Sequence, residues 1–167
     1  HLHGKGILHC DLKPGNVLLD QDKKPRLADF GQSRLSHEQA PALGTLFFMA
    51  PEQANLQAAP DARWDVYALG ALLYCMLTGE PPFRDAAMLK KIESTDAMED
   101  RLAHYRKLID SAAKPTAHRK VAGVDRSLAD IIDRCIDRDP KQRFASVQSV
   151  YQALRQRELA QTKRPLM

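Results

Sequence analysis

The chain has 167 residues and a formal charge of +4, with 44% hydrophobic, 28% charged and 6% aromatic residues. That composition excludes a disordered, collagen-like or low-complexity polymer, and the length suits one domain with a substantial core. The basic excess is small and gathers in no stripe, so nucleic acid is not an expected partner. The longest apolar stretch, Val66 to Leu77, has 12 residues; a bilayer needs about 20, so no membrane segment is expected. Cys10, Cys75 and Cys135 are odd in number, far apart and form no CxxC pair, which fits a reducing, cytoplasmic compartment. No secretory leader is expected. The first residue is His1 rather than Met, and the chain is expected to be a piece of a longer protein.

In chain order, His1 to Cys10 reads as a helix end broken by Gly4 and Gly6 and running into a loop. Val17–Leu19 is a short apolar strand, Asp20–Lys24 a polar turn, and Arg26–Ala28 the returning strand, together a small β-hairpin. Gln32 to Gly44 contains Pro41 and no periodicity, and reads as an exposed loop. Val66 to Leu77 is apolar on nearly every side, the pattern of a helix buried all round, and Gly79 with Pro81 and Pro82 ends it. Asp85 to Ala113 accommodates two further helices. Leu128, Ile131, Ile132, Cys135 and Ile136 recur at helical spacing and predict an amphipathic helix. Val147, Val150, Tyr151 and Leu154 repeat the pattern behind a candidate N-cap, Ser146. Arg155 to Met167 is polar and basic, and reads as a fraying helix end or linker.

The chemistry concentrates near the front. Asn16 precedes the outgoing strand and Asp29 follows the returning one, so an antiparallel pairing brings them together at the hairpin's open end. An amide oxygen and a carboxylate, with room for water and phosphate, suit Mg²⁺. Asp11 and Lys13 alternate around Leu12 and point to one side. An acid, a fixed cation and a metal pair within 19 residues form a phosphoryl-transfer constellation. Asp11 would orient a hydroxyl and accept its proton, while Lys13 would offset charge on the migrating group.

The run His9-Cys10-Asp11-Leu12-Lys13-Pro14-Gly15-Asn16 resembles the H-R-D-L-K-P-x-N catalytic loop of eukaryotic-type protein kinases. Asp29-Phe30-Gly31 resembles the metal-binding D-F-G, and Ala50-Pro51-Glu52 the A-P-E that closes the activation segment. Three motifs in order and at these intervals are specific. Asp65 to Gly70 resembles the start of the family's central helix, whose aspartate receives backbone amides of the catalytic loop. Gly79-Glu80-Pro81-Pro82-Phe83 resembles the following G-x-x-P-F. Arg138 to Arg143 resembles a late D-P-x-x-R, so Arg143 is expected to pair with Glu52. Gly44-Thr45 and Met49 to Gln53 look most like serine/threonine kinases of bacterial type, in which the threonine helps hold the acid and the lysine. The resemblance implies the C-terminal lobe of a kinase domain over residues 1–158, mainly α-helical with a small β-hairpin (α+β in the complete domain), with 159–167 as a polar tail. It implies ATP and Mg²⁺ as cofactors, a protein substrate, and the absent N-terminal lobe as a partner. Lys13, Asn16, Leu18, Ala28 and Asp29 would face the nucleotide, and Asn16 and Asp29 the metal. Thr45 would serve the activation segment, and His9, Phe30, Gly31, Glu52, Asp65 and Arg143 the scaffold, with His9 packed beneath Phe30.

Two departures qualify the match. Cys10 replaces the usual arginine that grips a loop phosphate, the non-RD pattern, so activation by loop phosphorylation is not expected. Gly15 replaces a glutamate common in kinases that favour basic substrates. No glycine-rich loop or strand lysine precedes His9, so this chain alone is expected to be inactive and to expose apolar surface where the other lobe docks. The alternatives are a pseudokinase-like interaction module and a small-molecule phosphotransferase. Simpler readings compete at single positions. Asp11 and Asp29 could be turn residues, Cys10 an inert thiol, and Lys114, His118, Arg119 and Lys120 a solvated connection. His1, His3, His9 and Cys10 match no closed zinc spacing. Ser33 and Ser36 are candidate phosphorylation positions.

Overall fold

The structure, a computed structural model, describes residues 3–29 and 43–162. Phe30, Gly31, Ser33, Ser36 and most of the expected loop from Gln32 lie outside the described residues. The described residues begin with a 3-10 turn, His3–Lys5, where a helix end running into a loop was expected. A second 3-10 turn at Pro14–Asn16 leads into strand β1, Val17–Leu19, which pairs antiparallel with β2, Pro25–Leu27. Val17 sits opposite Leu27 and Leu19 opposite Pro25. The returning strand therefore starts one residue earlier than its sequence pattern. Pro25 has no N–H to give, but at the end of a two-stranded edge none is required.

A short helix α1, Leu43–Leu46, stands where the end of the loop was expected. Helix α2, Ala62–Thr78, is the axis of the fold. It begins ahead of its apolar run because the Asp61 carboxylate accepts from the Arg63 N–H at 2.7 Å, capping the first turn. It stops at Gly79, whose φ of 83° is left-handed and costs glycine nothing. Trp64 to Ala68, Gly70, Ala71 and Tyr74 are buried, so the first half is enclosed as expected. The second half is not, since Met76 is 74% exposed. Two helices follow, α3 (Ala86–Glu93) and α4 (Met98–Ser111), then a 3-10 turn at Ala117–Lys120. The last two are α5, Arg126–Cys135, and α6, Val147–Thr162.

Apolar side chains bury on both flanks of α2. Phe48, Trp64, Tyr67, Tyr74, Ile132 and Ile136 form one cluster, and Val66, Ile131, Cys135, Phe144 and Val150 another. A third, with Leu46, Met49, Ile92, Leu102, Tyr105 and Ile109, ties α4 to the segment ahead of Pro51. Helices α2 and α5 cross closely at Gly70, where a Cβ would fall 2.4 Å from the Cβ of Cys135. Tyr151, expected in the stripe of α6, is 55% exposed, because the apolar face that helix packs on the core carries Val147, Val150, Ala153 and Leu154 instead. Beyond Arg155 the chain stays helical through Thr162 instead of fraying. Arg157 and Gln161 both donate to Asp125 at the start of α5, which anchors that last stretch. Among the described residues no helix is long and apolar enough to cross a membrane.

Candidate active site

Leu12 is 8% exposed, and its burial fixes an extended loop whose two flanking side chains turn the other way. There the Lys13 ammonium donates to Asp11 Oδ2 at 2.8 Å and to Thr45 Oγ1 at 3.3 Å. Pro14 presets the backbone for the 3-10 turn that follows, and the Asn16 N–H closes it on the Lys13 carbonyl at 3.0 Å. That turn swings the Asn16 side chain back onto the loop. Its Nδ2 donates to the Asp11 carbonyl at 2.8 Å and to Asp11 Oδ2 at 3.1 Å. One carboxylate oxygen of Asp11 thus holds a cation and an amide, while Oδ1 accepts no hydrogen bond from the described residues. An acid oriented through one oxygen and open at the other is suited to receive a proton.

The hairpin closes beside this group. The Ala28 N–H donates to the Asn16 carbonyl at 2.9 Å, one step beyond the strand pairing, and Asp29 comes next in the chain. Asp29 is exposed and has φ 60°, a left-handed conformation that aspartate tolerates better than most residues. The Asn16 NH₂ is committed to Asp11, which leaves its carbonyl oxygen as the remaining donor atom for a metal. That oxygen and the Asp29 carboxylate are both hard donors of the type that would hold Mg²⁺ with waters and phosphate completing the shell. Leu18 is 56% exposed and Ala28 half-buried on the same ribbon.

The loop is fastened to the core from below. Asp65, at the start of α2, accepts the Cys10 N–H through Oδ1 at 2.7 Å. Its Oδ2 accepts the His9 N–H and the His3 ring Nε2, both at 2.8 Å. The buried His9 ring lies within hydrogen-bond reach of the Ala28 carbonyl through Nε2 at 3.0 Å. Its Nδ1 receives the Asp11 N–H at 3.4 Å, which assigns the ring proton to Nε2. Farther out, the two Arg143 Nη atoms grip the two oxygens of Glu52 at 2.7 and 2.8 Å. The guanidinium is fully buried and spends its other donors on the carbonyls of Asp137, Arg63 and Arg138.

A protein kinase domain model matches residues 1–155. The chain belongs to the protein kinase family. It is 51% identical over 89 residues to the DNA damage-responsive serine/threonine-protein kinase RqkA of Deinococcus radiodurans, covering 50% of this chain and 13% of that protein. It is 41% identical over 88 residues to the serine/threonine-protein kinase PknB of Mycolicibacterium smegmatis, covering 48% and 14%. The serine/threonine-protein kinase cds1 of Schizosaccharomyces pombe aligns more fully, 29% identical over 159 residues, or 90% of this chain and 32% of that protein. The chain therefore spans at most about a third of the length of these relatives.

Membership in the kinase family sharpens what is unusual at position 10. Cys10 adopts φ 61° and packs its side chain against the cluster around Trp64 and Tyr67. Burial, reinforced by the Asp65 carboxylate, pushes its thiol up to about 11, so it is protonated at neutral pH and carries no charge. In the basic group near residue 118, three of the four side chains are paired or buried within the chain. Arg119 and Lys114 pair with Asp133, Arg119 also pairs with Asp130, and the His118 ring is fully buried. Two residues were not read in the sequence as supports of the loop. His3 lacks any local signal, because its partner Asp65 is 62 residues away. Gln53 stands at the third position of the 3-10 turn Pro51–Ala54, where a side chain that folds back on the turn's entrance is a known signature.

Proposed function

We propose that the protein containing this chain is an ATP-dependent serine/threonine protein kinase of bacterial type, and that this chain supplies the C-terminal lobe of its catalytic domain. The lobe takes in residues 1–158, with 159–167 as a polar tail, and α6 itself continues to Thr162. Asp11 accepts the proton of a protein serine or threonine hydroxyl at Oδ1. Lys13, kept in place by Asp11 and Thr45, offsets negative charge on the transferring phosphoryl group. Asn16 and Asp29 hold Mg²⁺, which when bound draws charge from the phosphate oxygens. Leu18 and Ala28 form the floor beneath the nucleotide, and the absent N-terminal lobe is its roof. The compartment is the cytoplasm. The observation that carries the reading is the convergence of Lys13 and Asn16 on a single oxygen of Asp11, with the other oxygen accepting no hydrogen bond from the described residues.

A second reading, an interaction module without chemistry, draws support from the exposure of Leu18, Leu19 and Leu27 on the ribbon. One experiment separates the two. The full-length protein is expected to transfer phosphate from ATP to serine or threonine in the presence of Mg²⁺, and the 167-residue chain alone is not. Asp11→Asn in the full-length protein should lower kcat by about 10²- to 10⁴-fold with an unchanged melting temperature. Undiminished turnover in Asp11→Asn, or none in the full-length protein, overturns the kinase reading.

A further inference from the structure

Gln53 is 6% exposed, and both ends of its amide are engaged. Its Oε1 accepts the Ala50 N–H at 2.9 Å, and its Nε2 donates to the Cys10 carbonyl at 3.2 Å, 43 residues away. The second bond matters because of what the Cys10 carbonyl belongs to. It is one end of the peptide unit joining Cys10 to Asp11, and the other end, the Asp11 N–H, donates to His9 Nδ1 at 3.4 Å. Both polar groups of that plane are thus held by side chains. The plane follows a residue of stored strain, since Cys10 has φ 61° where a side chain is disfavoured. Rotation of the plane would change ψ at Cys10 and φ at Asp11, and with them the direction in which Asp11 presents its carboxylate to Lys13 and Asn16.

We infer that Gln53 is a positioning residue for Asp11: by holding the Cys10 carbonyl, it locks the Cys10–Asp11 peptide in the orientation that presents the carboxylate. The inference rests on the reading of Asp11 as proton acceptor. It also supplies a link between the end of the activation segment and the catalytic loop that needs no charge at position 10. The bond arises from the Ala50–Gln53 turn itself, so the acid is aimed whenever that turn is formed.

Two substitutions in the full-length protein divide the roles of the amide. Gln53→Met keeps length and apolar volume but loses both bonds. Gln53→Glu keeps an acceptor for the Ala50 N–H and loses the donor to Cys10. Both are expected to lower kcat at least tenfold with KM for ATP within twofold of the parent. A Gln53→Glu protein as active as the parent would assign Gln53 to capping the turn alone and overturn the inference. Hydrogen exchange without nucleotide gives a readout independent of turnover. The Asp11 amide should exchange at least tenfold faster in both variants, with α2 unchanged, and unchanged exchange there overturns the inference even if the full-length protein proves inactive. General loss of protection in Gln53→Met would make Gln53 a folding residue and likewise overturn it. A protein that transfers no phosphate but shows the local change at Asp11 would sink the kinase reading and leave the positioning role standing.

Discussion

Cys10 concentrates the local costs of the loop. A left-handed non-glycine residue is disfavoured by about 1–2 kcal/mol, and here the Asp65 and Gln53 bonds on either side offset it. The side chain lies against apolar neighbours, and its thiol is held up to about 11. Cys135 is pushed higher still by burial, to about 12, and Cys75 is raised as well. Native protein should therefore resist alkylation. At pH 8 the rate at Cys10 is expected to be about 100-fold below that of a free cysteine, since two pKa units remove that share of thiolate. Peptide mapping after iodoacetamide treatment measures it, and labelling of native Cys10 at the free-thiol rate contradicts it. The sequence makes the replacement at position 10 visible, and the spacing of Asp11, Lys13 and Asn16 too. It does not show that Cys10 turns inward or that Gln53 answers its carbonyl, because both depend on segments distant in the chain.

Helices were readable where their signals are local. The apolar run of α2, its glycine stop and the stripe of α5 each lie within one turn or a few of their own cause. The reach of α6 is not readable this way, because Asp125, which anchors it, precedes Arg157 by 32 residues. Asp125 caps α5 through the Leu128 N–H at 2.8 Å while accepting Arg157 and Gln161. Hydrogen bonding from Arg157, then from the Leu128 N–H, holds its carboxyl down to about 2 from an ordinary 3.8. A depressed carboxylate contributes stability that is present above about 3.8 and is lost as pH falls towards 2. Amides of the last turns of α6 should accordingly lose exchange protection over that interval before α2 does. Asp125→Asn should show the same loosening already at pH 7. Equal protection of both helices down to pH 2 would remove Asp125 from this role.

For the molecule as a whole, the clasp of Arg143 on Glu52 joins the 3-10 turn Pro51–Ala54 to the stretch between α5 and α6. The guanidinium also lies over the Tyr67 ring, 4.9 Å from its centroid. Every donor is used, so a lysine has no way to replace it. Glu52→Ala should lower stability by about 3–5 kcal/mol, because it strands a buried cation. A denaturation midpoint that shifts with an unchanged m-value checks it, and a loss below 1 kcal/mol argues that water reaches the guanidinium. This pairing was expected from family resemblance, and its geometry, two bonds to two oxygens, is what the fold adds.

The ribbon of β1 and β2 has a further consequence. Among the described residues its outer edges have no strand partner next to the exposed Leu18, Leu19 and Leu27, a combination that recruits further strands. Whatever shelters this ribbon would also complete the space above Asn16 and Asp29. Good behaviour in solution and competence for chemistry would then arrive together, with one contact conferring both.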